Sequence, residues 1–127
     1  MTDPQDVGGI MNPQGTPALK ELISFHRLIL EQSIQEYEGK RSKNGLFHGE
    51  GHARMHNGDS YKGQFYEGLI HGKGRYEWAD GTIYEGEWHM SAIHGNGKYM
   101  WADGSWYEGL LKNGMRHGQG KFCRPEQ

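Results

Sequence analysis

The chain is short of several things at once. Among 127 residues it has one cysteine and four prolines, 34% are hydrophobic, and acid and base nearly cancel to a formal net charge of −2. A single cysteine, Cys123, excludes a disulfide framework or a cysteine-based metal cluster within the chain and points to a reducing, intracellular setting. No run of about 18 apolar residues is present, so no transmembrane helix is expected, nor is a secretory leader. Basic residues are spread out, which leaves nucleic acid and anionic membranes without their usual electrostatic footprint. Glycine is what the chain has in excess: 21 residues, where an average protein carries about 7%. A large aliphatic core is therefore not expected.

Glycine is unevenly placed. Three glycines lie in residues 1–36 and eighteen in residues 37–127, together with fourteen of the fifteen aromatics. Residues 1–16 hold Pro4, Pro13, Gly8 and Gly9 with few apolar residues and read as a flexible tail. Thr16 suits a helix N-cap and Pro17 the first helical position. Leu19, Leu22, Ile23, His26, Ile29, Leu30 and Ile34 recur near a period of 3.6, with Lys20, Glu21, Arg27, Glu31 and Gln32 opposite, so an amphipathic helix is expected over residues 17–36. Its apolar face would cap the following region or dock on a partner protein.

Residues 37–127 repeat. Tyr61, Tyr84 and Tyr107 are 23 residues apart, as are His48, His71, His94 and His117, each histidine followed by Gly-x-Gly. Asn57-Gly58, Asp80-Gly81 and Asp103-Gly104 keep the same step. Four units follow, over 37–60, 61–83, 84–106 and a truncated 107–127. Asp-Gly or Asn-Gly between alternating segments marks a hairpin, so each unit reads as two strands. A three-residue loop at Ala79-Asp80-Gly81 pairs Tyr76 with Tyr84 and Gly74 with Gly86; the other turn pairs Tyr61 with Tyr76, Gly63 with Gly74 and Phe65 with Gly72. Three cross-strand rows result on one face. The first is Tyr61, Tyr76, Tyr84, Tyr99, Tyr107, Phe122; the second is Gly63, Gly74, Gly86, Gly97, Gly109, Gly120; the third is Phe65, Gly72, Trp88, Gly95, Leu111, Gly118. Rings can lie over the bare glycine backbone and supply burial that glycine cannot. The fold class is thus all-β: an elongated, twisted, single-layer antiparallel sheet of hairpins behind an N-terminal helix. Its C-terminal edge strand is a place for homo-association unless Arg124-Pro125 or a partner protects it.

Tyr84-Glu85-Gly86-Glu87-Trp88, followed by His94-Gly95-Asn96-Gly97 and Ala102-Asp103-Gly104, resembles the MORN repeat, and the other units match it position by position. Ser91 departs from Gly68 and Gly114, Leu111 stands where an aromatic is usual, and the first unit has Ala53 and Met55 where later ones carry aromatics. Within the family the pattern most resembles MORN proteins of ciliary and flagellar radial spoke heads. That resemblance implies a rod-like scaffold joining protein subunits, located in the cytoplasm and cytoskeleton at the axoneme. Other family members imply an alternative: a membrane-associated tether, or a regulatory subunit of an enzyme near anionic lipid.

No catalytic or cofactor site is expected. Equivalent histidines on successive hairpins lie roughly 10 Å apart, too far to share an ion bound at about 2.1 Å, so His71, His94 and His117 are expected to close loops by hydrogen bonding. His71-Gly72-Lys73-Gly74 lies among strands, without the helix that a phosphate loop opens. Glu85 and Glu87 project into solvent, and no serine, nor Cys123, has a histidine base. Trp78, Trp101 and Trp106 fall outside the three rows; with Trp88, Tyr84 and Tyr107 they are the candidate protein-binding residues, since exposed apolar surface and tryptophan mark interfaces.

Overall fold

The computed structural model describes residues 19–125. They form one helix, α1 (Leu19–Ser33), and eight strands: β1 (Ile34–Arg41), β2 (Phe47–Met55), β3 (Ser60–Tyr66), β4 (Leu69–Glu77), β5 (Ile83–His89), β6 (Ala92–Met100), β7 (Trp106–Lys112) and β8 (Met115–Cys123). Each strand pairs antiparallel with the next, in chain order, in one open sheet. The expected all-β repeat architecture is what forms. The tail over residues 1–16 and the Thr16-Pro17 helix start lie outside the described residues.

The helix ends three residues earlier than its periodicity suggests. Ile34 and Glu36 fit the helical spacing, but Ile34 pairs with Met55 and Glu36 with Arg54. The turn after β2 also donates from His56 N to Ser33 O at 3.0 Å. Pairing with β2 captures these residues, because a strand bonded along its length outweighs one more frayed helical turn.

The tyrosine and glycine rows form as expected. Tyr61 pairs with Tyr76, Tyr76 with Tyr84, Tyr84 with Tyr99, Tyr99 with Tyr107 and Tyr107 with Phe122. Beside them runs Gly39, Gly51, Gly63, Gly74, Gly86, Gly97, Gly109, Gly120, glycine opposite glycine across the whole sheet. The rings of Tyr37, Tyr61, Tyr84 and Tyr107 lie where Cβ atoms on Gly51, Gly74, Gly97 and Gly120 would be. Each hydroxyl then donates to a carbonyl three residues ahead: Tyr61 to Gln64 O at 2.8 Å, Tyr84 to Glu87 O at 2.8 Å and Tyr107 to Leu110 O at 2.9 Å. Burial pushes the Tyr61 and Tyr84 hydroxyls well above the ordinary tyrosine range, so they stay protonated donors.

The third row needs correction. Phe65 pairs with Ile70, not Gly72, because the register shifts after Gly63; the same shift sets Trp88 opposite Ile93 and Leu111 opposite Arg116. Across the other junctions Gly72 does face Trp88, and Gly95 faces Leu111. The extra residues form a bulge at Gly72, Gly95 and Gly118, whose φ values of 104°, 82° and 66° lie in the region that glycine enters without steric cost. Gln64 Oε1 accepts from Lys73 N at 2.7 Å and Glu87 Oε2 from Asn96 N at 2.6 Å, closing the first two bulges. The third bulge has Leu110 at the matching position, with no acceptor to offer. Leu110→Gln should therefore stabilise the chain by about 0.5–1 kcal/mol, the net worth of one hydrogen bond, read as a rise of a few degrees in melting temperature.

The bulge lets each hairpin grip the next. Tyr66 pairs with Leu69 and His89 with Ala92, leaving the two-residue turns Glu67-Gly68 and Met90-Ser91, all four residues at positive φ as a hairpin of this hand requires. Gly68 N donates to Phe47 O at 2.8 Å and Ser91 N to Ile70 O at 2.7 Å. The other turn N–H groups go to histidine: Glu67 N to His48 Nδ1 at 3.1 Å and Met90 N to His71 Nδ1 at 3.0 Å. Ser91 offsets its left-handed strain, because its Oγ accepts from Ile70 N at 3.2 Å. At His48 and His71, His-Gly-x-Gly thus reads mechanically: histidine for the next turn, glycine for the bulge, glycine beneath a tyrosine.

These histidine bonds need a neutral Nδ1. Burial, helped by the neighbouring His89, lowers the proton affinity of His71 below the ordinary histidine range. A lowered folded value means that its contribution is intact above the unfolded pKa near 6.5 and is lost as pH falls through the folded value. Melting temperature should decline on acidification below about pH 6, and less steeply in His71→Ala.

Helix α1 lies on the aromatic face. Leu30 and Ile34 pack against the core cluster, and Arg27 reaches over Gly68 to donate from Nε to Glu67 O at 2.7 Å. Arg27 therefore faces inward, against its place on the expected polar side, whereas His26 and Ile29 are exposed. Arg27→Ala should loosen the helix, raising amide exchange over residues 19–33 about tenfold, which is about 1.4 kcal/mol.

Candidate functional site

Two faces are available, and their chemistry differs. On the polar face a cross-strand line runs His52, Lys62, Arg75, Glu85, Lys98, Glu108, Lys121. Beside it Lys73 faces Glu87. From Arg75 onward the sign alternates at each strand, which favours the pairing; before it Lys62 stands opposite Arg75, while Arg54 and Arg75 are paired to Glu36 and Glu77. A broad trough over the glycine backbone is lined by these same balanced charges. Trp106 belongs to this face, with Lys98 Nζ 4.8 Å and Lys121 Nζ 5.9 Å from its ring centre. Cation–π contact holds it down between two lysines.

The aromatic face is covered unevenly. Tyr84 is 0%, Tyr107 4% and Trp88 8% exposed. These three proposed contact residues are core: Tyr84 and Trp88 meet edge to face at 5.3 Å, and Tyr61 and Trp88 at 5.7 Å. Trp78 and Trp101, by contrast, are half-buried and lie in one strip with Tyr76, Tyr99 and Phe122. Ring centres along it are 4.7 Å apart for Tyr76–Trp78, 6.1 Å for Trp78–Tyr99, 5.6 Å for Tyr99–Trp101 and 5.9 Å for Trp101–Phe122. The expected set of tryptophans thus divides: Trp78 and Trp101 share one open surface, and Trp106 lies on the opposite one. Alternation carries the signal, because Trp106 adjoins Tyr107 and so faces away from it, whereas Trp78 and Trp101 stand two residues after Tyr76 and Tyr99 and share the face of the tyrosine row.

Sequence reasoning missed two participants. Asp59, buried between hairpins, accepts from Tyr76 Oη at 2.7 Å and Ala79 N at 2.8 Å, and so joins one turn to the next. Phe25, Leu28 and Ile29 form an apolar stripe on the outside of α1, 56%, 50% and 45% exposed. The i, i+3, i+4 spacing that brings them together was open to reading in the sequence.

Among the described residues no three His, Cys, Asp or Glu side chains gather as metal ligands. His48 and His71 hold turns, while His94 and His117 are exposed and accept no such bond among the described residues.

The MORN repeat model matches four successive segments, residues 42–60, 61–83, 84–106 and 107–126, which together make up more than half of the chain. The chain belongs to the MORN repeat family. Its segment boundaries at 61, 84 and 107 coincide with the buried tyrosines, so the MORN unit here runs from one ring-over-glycine contact to the next. A comparison with curated proteins finds no match. MORN repeats are structural and binding repeats that engage proteins or membranes, and this MORN sheet offers one charge-balanced face and one partly covered aromatic face.

Proposed function

We propose that this MORN protein is a non-enzymatic scaffold of a ciliary or flagellar axonemal complex, close in kind to the radial spoke head, which joins other protein subunits through its sheet. The observation that carries a protein-binding role is the half-exposed strip Tyr76, Trp78, Tyr99, Trp101, Phe122 on an ordered single layer. Rings held by their neighbours lose little freedom on binding, and contacts at a fixed pitch combine without a new ordering cost. The polar face supports the same choice over a lipid tether, since among the described residues its basic side chains are interleaved with glutamates, Lys73 facing Glu87, Arg54 pairing with Glu36 and Arg75 with Glu77, rather than forming the usual basic cluster of about four to eight. The axonemal setting rests on the likeness of the Tyr-Glu-Gly, His-Gly-x-Gly and Ala-Asp-Gly pattern to radial spoke MORN proteins.

The test is to tag the protein at its own locus and extract cells with non-ionic detergent. Retention on the axoneme, with crosslinks from the sheet to neighbouring subunits, is the expected outcome. Complete release with the membrane fraction would overturn it and favour the tether.

A further inference from the structure

The repeat supplies an internal comparison. Helix α1 covers the aromatic face over the first two units and stops there, whereas the face continues. Beside the helix is a crevice of about 290 Å³, bordered by Ile29 and Leu30 on one side and by Met55, Ile70, Tyr76 and Trp88 on the other. One repeat further along, the positions of Met55, Ile70, Tyr76 and Trp88 are taken by Trp78, Ile93, Tyr99 and Leu111. The same apolar pattern is thus present again, 23 residues on, with Ile93 and Leu111 buried and Trp78 and Tyr99 half-buried. Met55 is buried, whereas Trp78 and, a further repeat on, Trp101 are only half-buried.

The pitch fits a second helix. Two strands at about 4.8 Å advance the seat by roughly 10 Å, and helices pack side by side at about 8–10 Å. A helix in the second seat would therefore touch α1 as well as the sheet. The surface that α1 turns outward is the apolar stripe Phe25, Leu28, Ile29, and Ile29 borders the crevice. The anchor repeats too: Arg27 is held by Glu67 O, and Met90 occupies the equivalent turn position with φ 50° against 47°.

We propose that this seat takes one amphipathic α-helix of a partner protein, laid beside α1 over Trp78, Tyr99 and Ile93, with an arginine reaching the Met90 carbonyl. The idea deepens the reading of the chain as a protein-binding scaffold and rests on it. In a second copy the inward face of α1, with Leu30 on the core and Arg27 held by Glu67 O, is already engaged, and α1 passes into the paired β1 without a connecting loop, so a copy cannot offer that face and arginine without giving up part of its sheet. The occupant is a helix from elsewhere, with apolar residues at i, i+3 and i+4 on the face it lays down.

The probe is a fluorescein-labelled peptide of the sequence Leu19–Ser33, which carries the required stripe and arginine, titrated with the full chain. Saturable one-to-one binding is expected. Ile29→Asp in the chain, an exposed site, and Trp78→Ala should each weaken it at least tenfold, as truncating an interface anchor does, while Glu85→Gln on the polar face leaves it unchanged. Absence of saturable binding, or binding indifferent to Ile29→Asp and Trp78→Ala, overturns the seat. A wild-type dimer in sedimentation that Ile29→Asp makes monomeric also overturns it, in favour of a second copy. Cellular crosslinks separate the two ideas: partners that persist with Ile29→Asp sink the seat and spare the scaffold, whereas a wild-type chain without partners sinks the scaffold.

Discussion

Gly86→Val lowers stability by about 2–4 kcal/mol, combining the usual cost of overpacking with the loss of one hydrogen bond. A Cβ at Gly86 would stand 2.5 Å from Gly97 Cα, 2.6 Å from Tyr84 Oη and 2.7 Å from Asn96 O. Two of these three are backbone atoms, which cannot step aside without parting β5 from β6. The third is the hydroxyl that donates to Glu87 O. For a domain of this size the fall in melting temperature is about 10–20 °C. Gly81→Ala sets the scale by contrast. Its Cβ would meet only Ala102 Cβ at 3.4 Å, so the cost there is the backbone strain of φ 95°, about 1 kcal/mol. If the two variants melted alike, glycine would be serving turns rather than packing.

Tyr84→Ala costs about 3–5 kcal/mol, the usual loss for truncating a buried aromatic. The ring has no exposed surface, lies over Gly97, and touches Trp88 at 5.3 Å and Tyr99 at 5.1 Å between ring centres. Tyr84→Phe keeps the ring and loses only the bond to Glu87 O, so about 1 kcal/mol is expected. Urea unfolding of the two variants separates packing from hydrogen bonding. A loss in Tyr84→Ala no larger than in Tyr84→Phe would mean that the ring is not core. By the same reasoning Tyr84 and Tyr107 act on partners only through the sheet that they hold together.

Residues that repeat their neighbours' environment were readable from the sequence alone. Tyr76 opposite Tyr84, Gly63 opposite Gly74 and the Ala79-Asp80-Gly81 loop follow from counting back from a turn whose glycine must be left-handed, and φ at Gly81 is 95°. Counting failed at Phe65, because strand arithmetic assumes one residue opposite one. The bulge at Gly72 is held by Gln64 Oε1, and the neighbouring His71 and Ile70 are engaged by a turn about twenty residues later. Such a long-range contact overrides local alternation. Ile34 failed for a similar reason, since its helical and strand spacings are both good and only Met55 decides between them. Arg27 departs from the polar side that its spacing suggests because a long side chain can lie along apolar surface while its nitrogen finds a carbonyl. Of the candidate surface, the tryptophans are visible in the sequence, whereas how much of the aromatic face is covered among the described residues depends on how far α1 reaches, which no local pattern states.

The most direct measurement is the proton spectrum of the glycines in the full chain. Gly51, Gly74, Gly97 and Gly120 each lie beneath a tyrosine ring, so one Hα of each should be shifted strongly upfield and show a nuclear Overhauser contact to that tyrosine's ring protons. Gly45, with nothing near its Cβ position, should show neither. Four shifted glycines, each paired with Tyr37, Tyr61, Tyr84 or Tyr107, are what ring-over-glycine packing predicts. Glycine Hα signals at ordinary positions, with tyrosine ring contacts to one another but not to glycine, would contradict it.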